Sequence, residues 1–143
     1  MEKKMKKLQL LLPLLLLFVL FGFNSNSYAQ NGPVLYFCEY YGSAGEVGIS
    51  DRFTTGYLTV MVKCDYALGL TDVTIQFDKY NCNTGEFKFY KKFNYDVESD
   101  MKYIYFSKNE TSDMSFDSPG IYRVFLLNGY GETVTSGLVE VIN

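Results

Sequence analysis

The sequence contains no histidine and no tryptophan. Without histidine, Ser-His-Asp catalysis, Cys-His catalysis and every His-ligated metal site are excluded. Cysteine is limited to Cys38, Cys64 and Cys82, an odd count that leaves at least one thiol unpaired within a monomer. Positive charge is also short, with 13 Lys and Arg against 16 Asp and Glu and a formal charge of −3. Phosphate binding depends on clustered Lys and Arg, so nucleic acids and anionic membrane surfaces are poor partners for this chain. No EF-hand pattern and no cofactor fingerprint is present. What the chain has in quantity is aromatic surface, with 13 Tyr and 12 Phe among its 143 residues.

The amino terminus reads as an export signal. A basic stretch, Met1 to Lys7, precedes Leu8 to Phe23, which is apolar except for Gln9 and Gly22 and is broken by Pro13. Polar residues follow, and Ser27-Tyr28-Ala29 offers small side chains one and three positions before a cut ahead of Gln30. The apolar run is shorter than the ~20 residues needed to span a bilayer. No cysteine lies near the cut, so a lipoprotein anchor is not expected. Residues 1–29 are therefore expected to be removed, leaving residues 30–143 as one secreted or periplasmic domain with no membrane span. The signal carries four lysines and one glutamate, so its loss moves the formal charge from −3 to −6.

Beyond Pro33 the hydrophobic pattern has period two rather than a helical period. Seven runs qualify as strands: Val34 to Tyr41, Tyr57 to Cys64, Val73 to Lys79, Phe87 to Phe93, Met101 to Ser107, Ile121 to Leu127 and Thr133 to Ile142. Their β-branched and aromatic side chains suit a pleated, half-buried surface. Turn chemistry separates them at Asn83-Thr84-Gly85, at Asp117-Ser118-Pro119-Gly120 and at Asn128-Gly129-Tyr130-Gly131. The expected fold is all-β, an antiparallel sandwich of about seven strands.

Phe116 to Leu126, including Pro119-Gly120-Ile121-Tyr122-Arg123-Val124, followed by Gly131 and Gly137 to Val141, resembles the last two strands of immunoglobulin-like sandwiches, especially bacterial and PKD-type surface modules. The resemblance covers about a quarter of the mature chain. It implies an immunoglobulin-like sandwich in which Tyr122 ties a corner to the backbone by its hydroxyl. Val124 stands where antibody domains carry a cysteine, and the core Trp is missing, so an antibody-like disulfide does not carry over. Function does not carry over either, because this scaffold serves many tasks.

Candidate sites follow from the same pattern. If Phe87 and Phe89 face the core, Lys88, Tyr90 and Lys92 point outward, with Lys91 an exception on the apolar face. If Ile104 and Phe106 face the core, Tyr103 and Tyr105 point outward from the next strand. Adjacent strands would then display Lys88, Tyr90, Lys92, Tyr103 and Tyr105 on one face, suited to protein contact or to stacking on sugar rings. The alternative is cross-strand Tyr–Lys pairing that only supports the sheet. A Cys38–Cys64 disulfide is open in an oxidising compartment, against the preferred reading of three independent small, mostly buried residues. Gly42 to Gly48 superficially resembles a phosphate cradle but lacks the following helix, and Glu46 would repel phosphate; it reads as a mobile loop. Asp96, Glu98, Asp100, Asp113 and Asp117 are hard oxygen ligands that suit calcium, against the plainer reading of solvated loop acids. The expectation is a non-enzymatic, exported protein-interaction or envelope accessory module without cofactor or metal, or else a carbohydrate-binding module using the tyrosines.

Overall fold

The structure is a computed structural model that describes residues 32–110 and 112–143; the expected export signal lies outside these residues. The described residues contain strands and turns, and no helix among them is long and apolar enough to cross a membrane. Twelve strands follow in order: β1 Val34–Cys38, β2 Tyr40–Gly42, β3 Gly45–Val47, β4 Arg52–Thr54, β5 Gly56–Tyr57, β6 Thr59–Lys63, β7 Asp72–Asn81, β8 Glu86–Asp96, β9 Tyr103–Phe106, β10 Ser115–Phe116, β11 Gly120–Asn128 and β12 Thr133–Ile142. The five-stranded sheet runs β4-β12-β11-β7-β8 and the three-stranded sheet β1-β6-β9; β2-β3 and β5-β10 form two small ribbons. Every pairing is antiparallel except β4 with β12. Neither large sheet closes on itself, so the arrangement is sandwich-like rather than a barrel.

Period-two patterning builds both layers around one core. In β11, Tyr122, Val124 and Leu126 are buried, while Ile121, Arg123 and Phe125 face away. Val73, Ile75 and Phe77 of β7 and Val139 and Val141 of β12 share that inner face. They pack with Leu35 and Phe37 of β1, Val60 and Val62 of β6, and Ile104 and Phe106 of β9 in a single cluster. Burying apolar area at about 25 cal/mol per Å² makes this shared cluster the main stabilising term. Gly137 lets the two layers approach closely, since a Cβ there would lie 3.1 Å from the Leu35 carbonyl oxygen.

The seven runs expected from the sequence all contain strand, with differences that matter. Val34 to Tyr41 breaks at Glu39, after which β2 turns away to pair with β3. The glycine segment expected to be a mobile loop is thus a hairpin, its tip Ser43-Ala44. β7 and β8 form a hairpin whose turn ends at Gly85, where a φ of +71° favours glycine. Opposite β7, β8 contains a bulge: Phe77 faces Lys91 and Asp78 faces Phe89, so Tyr90 is the extra residue. The bulge overturns the expected inward facing of Phe87 and Phe89, while Lys91 and Phe93 keep the inner face expected for them. Phe89 is exposed, and Lys91 lies inward as expected.

Lys91 crosses the edge of the core. Its Nζ donates to the Asp113 carbonyl at 2.9 Å and to the Ser115 carbonyl, and it lies 4.8 Å from the centre of the Phe116 ring. The aliphatic stem stays in apolar surroundings while the ammonium finds oxygen acceptors. The anchored segment brings Met114 and Phe116 fully into the core, Phe116 packing edge-on against Phe77 and Tyr122.

Tyr122 is fully buried, and its hydroxyl donates to the Ser118 carbonyl at 2.7 Å. All three cysteines are free. The Cys38–Cys64 disulfide left open by the sequence is corrected by the β1–β6 register. Cys38 pairs with Thr59, whereas Cys64 follows Lys63, which pairs with Val34 at the other end. About five residues of strand rise, roughly 16 Å, separate the two ends, well beyond the ~7 Å Cα limit for a bridge. Tyr122→Phe removes a bond made by a buried hydroxyl and is expected to lower unfolding stability by about 1 kcal/mol, read from the urea midpoint at constant m-value.

Candidate functional site

The five residues singled out from the sequence do not form one face, because β8 and β9 belong to different sheets. Tyr90 packs against Tyr122 at 5.4 Å and is half-buried. Lys88 is exposed opposite Lys79, and Lys92 is exposed opposite Gln76. Tyr103 and Tyr105 stay together on β9, on the other layer. Two exposed aromatic surfaces take the place of the expected one.

The first covers the outside of the three-stranded sheet. Cross-strand register puts Tyr36, Met61 and Tyr105 in one row there. Met61 is fully buried although it lies outside the shared core, because the β2–β3 hairpin folds across this face. Two contacts hold the hairpin down. The Tyr41 ring stacks on Tyr105 at 4.5 Å with 13° between planes, and the Tyr36 hydroxyl donates to the Glu46 carboxylate. The Tyr103 hydroxyl shares that carboxylate.

Charge and proton are coupled at this clamp. Hydrogen bonds from Tyr103 and then Tyr36 hold the Glu46 carboxyl down at about 2. Burial, and next the Glu46 carboxylate, push the Tyr103 phenol up to about 12; the same two causes raise Tyr36. The Glu46 contribution is complete above the ordinary glutamate value of about 4.3 and is lost as pH falls through about 2. The Tyr103 contribution is complete below about 10 and is lost as pH rises through about 12.

The second surface is the outside of the five-stranded sheet. Register aligns Leu138, Arg123, Asp78 and Phe89 across β12, β11, β7 and β8. The Arg123 guanidinium lies 4.5 Å from the Phe87 ring centre and 4.7 Å from that of Phe125. One of its nitrogens meets the Asp78 carboxylate at 3.3 Å, and Gln76 donates to the same carboxylate at 3.0 Å. Arg123 Nε is buried without a hydrogen-bond partner. Around this pair Phe89 is 61% exposed, Leu138 57% and Ile121 44%. Half-solvated sheets usually carry polar residues outward, so an apolar ring on this face is a departure that needs a cause.

Arg123, Asp78 and Phe125 are not among the residues the pattern singles out, and Phe87 and Phe89, expected to face the core, lie outside it. The available signal was β11 itself: Ile121, Phe125 and Leu127 make its second face apolar too, with Arg123 in the middle. Glu46, Tyr36 and Tyr41 were missed because their meeting depends on a hairpin folding back. Among the described residues no group of three or more Cys, Asp or Glu is arranged to hold a metal ion. The acids weighed for calcium therefore do not converge.

No protein-family model matches the chain, and no curated protein matches it. A phenolate titration monitored by absorbance is expected to show Tyr103 ionising above the bulk of the tyrosines; Glu46→Ala is expected to return it toward about 10.

Proposed function

We propose that this protein is an exported, non-enzymatic interaction module of immunoglobulin-like type that binds a protein partner through the outside of its five-stranded sheet. The observation that carries this reading is the Arg123–Asp78 pair set among Phe87, Phe89, Phe125, Leu138 and Ile121 on a face that should be polar. Interface centres are rich in aromatic residues and Arg, and a desolvated Arg flanked by rings is a frequent energetic anchor. The matching partner presents apolar side chains around one oxygen acceptor that meets the exposed part of the Arg123 guanidinium. The sequence supports the non-enzymatic part of the reading through its lack of histidine. The Tyr122 hydroxyl bound to the Ser118 carbonyl, four residues upstream, supports the immunoglobulin-like part.

The test is affinity capture of envelope and secreted proteins on the purified domain, comparing wild type with Phe89→Ala/Leu138→Ala. Both side chains are exposed, so stability should stay within about 0.5 kcal/mol. A specific partner retained by wild type should weaken by at least about tenfold on the double variant. Equal affinity for that partner would overturn the reading.

One observation favours a carbohydrate ligand instead. Tyr41 stacked on Tyr105, with Tyr40 exposed beside it in the chain, offers flat aromatic area next to hydroxyl and carboxylate groups. On that reading a glycan array gives a defined hit that Tyr40→Ala and Tyr105→Ala remove.

A further inference from the structure

The sheet edges are guarded unequally. An edge strand presents unpaired N–H and C=O groups, and charged side chains or a bulge keep other chains from adding to it. Strand β8 has both safeguards, carrying Lys88, Lys91 and Lys92 together with the bulge at Tyr90. Strand β9 has neither. Its four residues, Tyr103-Ile104-Tyr105-Phe106, include no charge and no proline, and it pairs with β6 alone.

Beside this edge lies a groove of about 210 Å³. Its walls come from both layers: Ile104 and Phe106 from β9, Tyr95 and Asp96 from β8, and Val97 and Met101 from the connection between them. Tyr95, Val97 and Met101 pack against the core and remain only partly buried. Asp96 lines the groove, and Glu98 and Asp100 follow it, exposed, in the connection that supplies Val97 and Met101, ahead of exposed Lys102. An extended chain laid along β9 would satisfy that strand's free backbone groups. Its alternate side chains would enter the groove, as strand addition requires. Residues flanking the insertion would meet the acids.

We propose that β9 and this groove receive an extended, basic segment of a partner protein, about four residues of alternating apolar side chains with Lys or Arg between or beside them. Asp96 and the acids that follow it select the charge of that segment and the groove its apolar positions. This site is separate from the outside of the five-stranded sheet, and neither reading depends on the other.

The test uses the whole exported domain and two short synthetic peptides, one alternating valine with lysine and one alternating valine with glutamate. The lysine peptide is expected to bind, to slow amide hydrogen exchange at Tyr103–Phe106, and to weaken with added salt over the range in which the Debye length falls below about 10 Å. Asp96→Lys/Glu98→Lys, both exposed positions, is expected to weaken it about tenfold, whereas Phe89→Ala/Leu138→Ala leaves it unchanged. Failure of the lysine peptide to bind, equal binding of the glutamate peptide, or protection located outside β9 would overturn the proposal. A concentration-dependent dimer protected at β9 in the peptide-free protein would assign the edge to a second copy and overturn it as well.

Discussion

A three-stranded layer cannot cover a five-stranded one, and the rest of the structure answers that mismatch. Strands β7, β8 and β11 are 9 to 11 residues long against 4 or 5 in β1, β6 and β9, and β9 meets β8 at the Tyr95–Phe106 contact, so Phe77, Tyr122 and Tyr90 take their cover from elsewhere. The chain supplies it with a short segment, Ser112 to Phe116, of which only Ser115–Phe116 is strand. Met114 and Phe116 fill the space, and the β5–β10 ribbon ties that segment back toward β6. An irregular backbone brought this close to a core must place its carbonyls. Lys91 provides for two of them, those of Asp113 and Ser115.

The bulge in β8 therefore affects two surfaces at once. By inserting Tyr90 it sends Phe87 and Phe89 outward to frame Arg123, while Lys91 keeps the inner face and holds the covering segment. Burial lowers the proton affinity of the Lys91 ammonium, with Asp113 and Asp117 acting in the opposite sense. A lysine in this position couples packing inside the layers to the shape of the outer face. The three-stranded layer deals with its own outer face differently, by folding a hairpin over Met61 and fastening it with a carboxylate shared between two phenols.

Much of the architecture could be read from alternation alone. Val73, Ile75 and Phe77, or Tyr122, Val124 and Leu126, announce buried faces because the side-chain period of a strand is two. The turns at Gly85 and at Asn128–Gly131 were legible for the same local reasons. What escaped was non-local. Nothing in Glu86 to Asp96 marks Tyr90 as an inserted residue, because a bulge is defined by the register of its partner. β4 and β10 are too short to show a period, and β4 depends on a parallel partner 88 residues away at the Arg52–Glu140 contact. Treating β8 and β9 as neighbours followed from their closeness in sequence, but the connection between them crosses from one layer to the other. Only Tyr103 and Tyr105 of the expected set remain together, since alternation within one strand survives any rearrangement of the sheets.

Strand β12 lies between β4 and β11, joined to one in parallel and to the other antiparallel, with its Ile142 carbonyl accepting from Thr55. A nascent chain synthesised only as far as residue 132 lacks an interior strand, so β4 has nowhere to dock and Phe53 no wall to lean on. Such an order of assembly keeps the growing polypeptide from completing its core before its last stretch emerges.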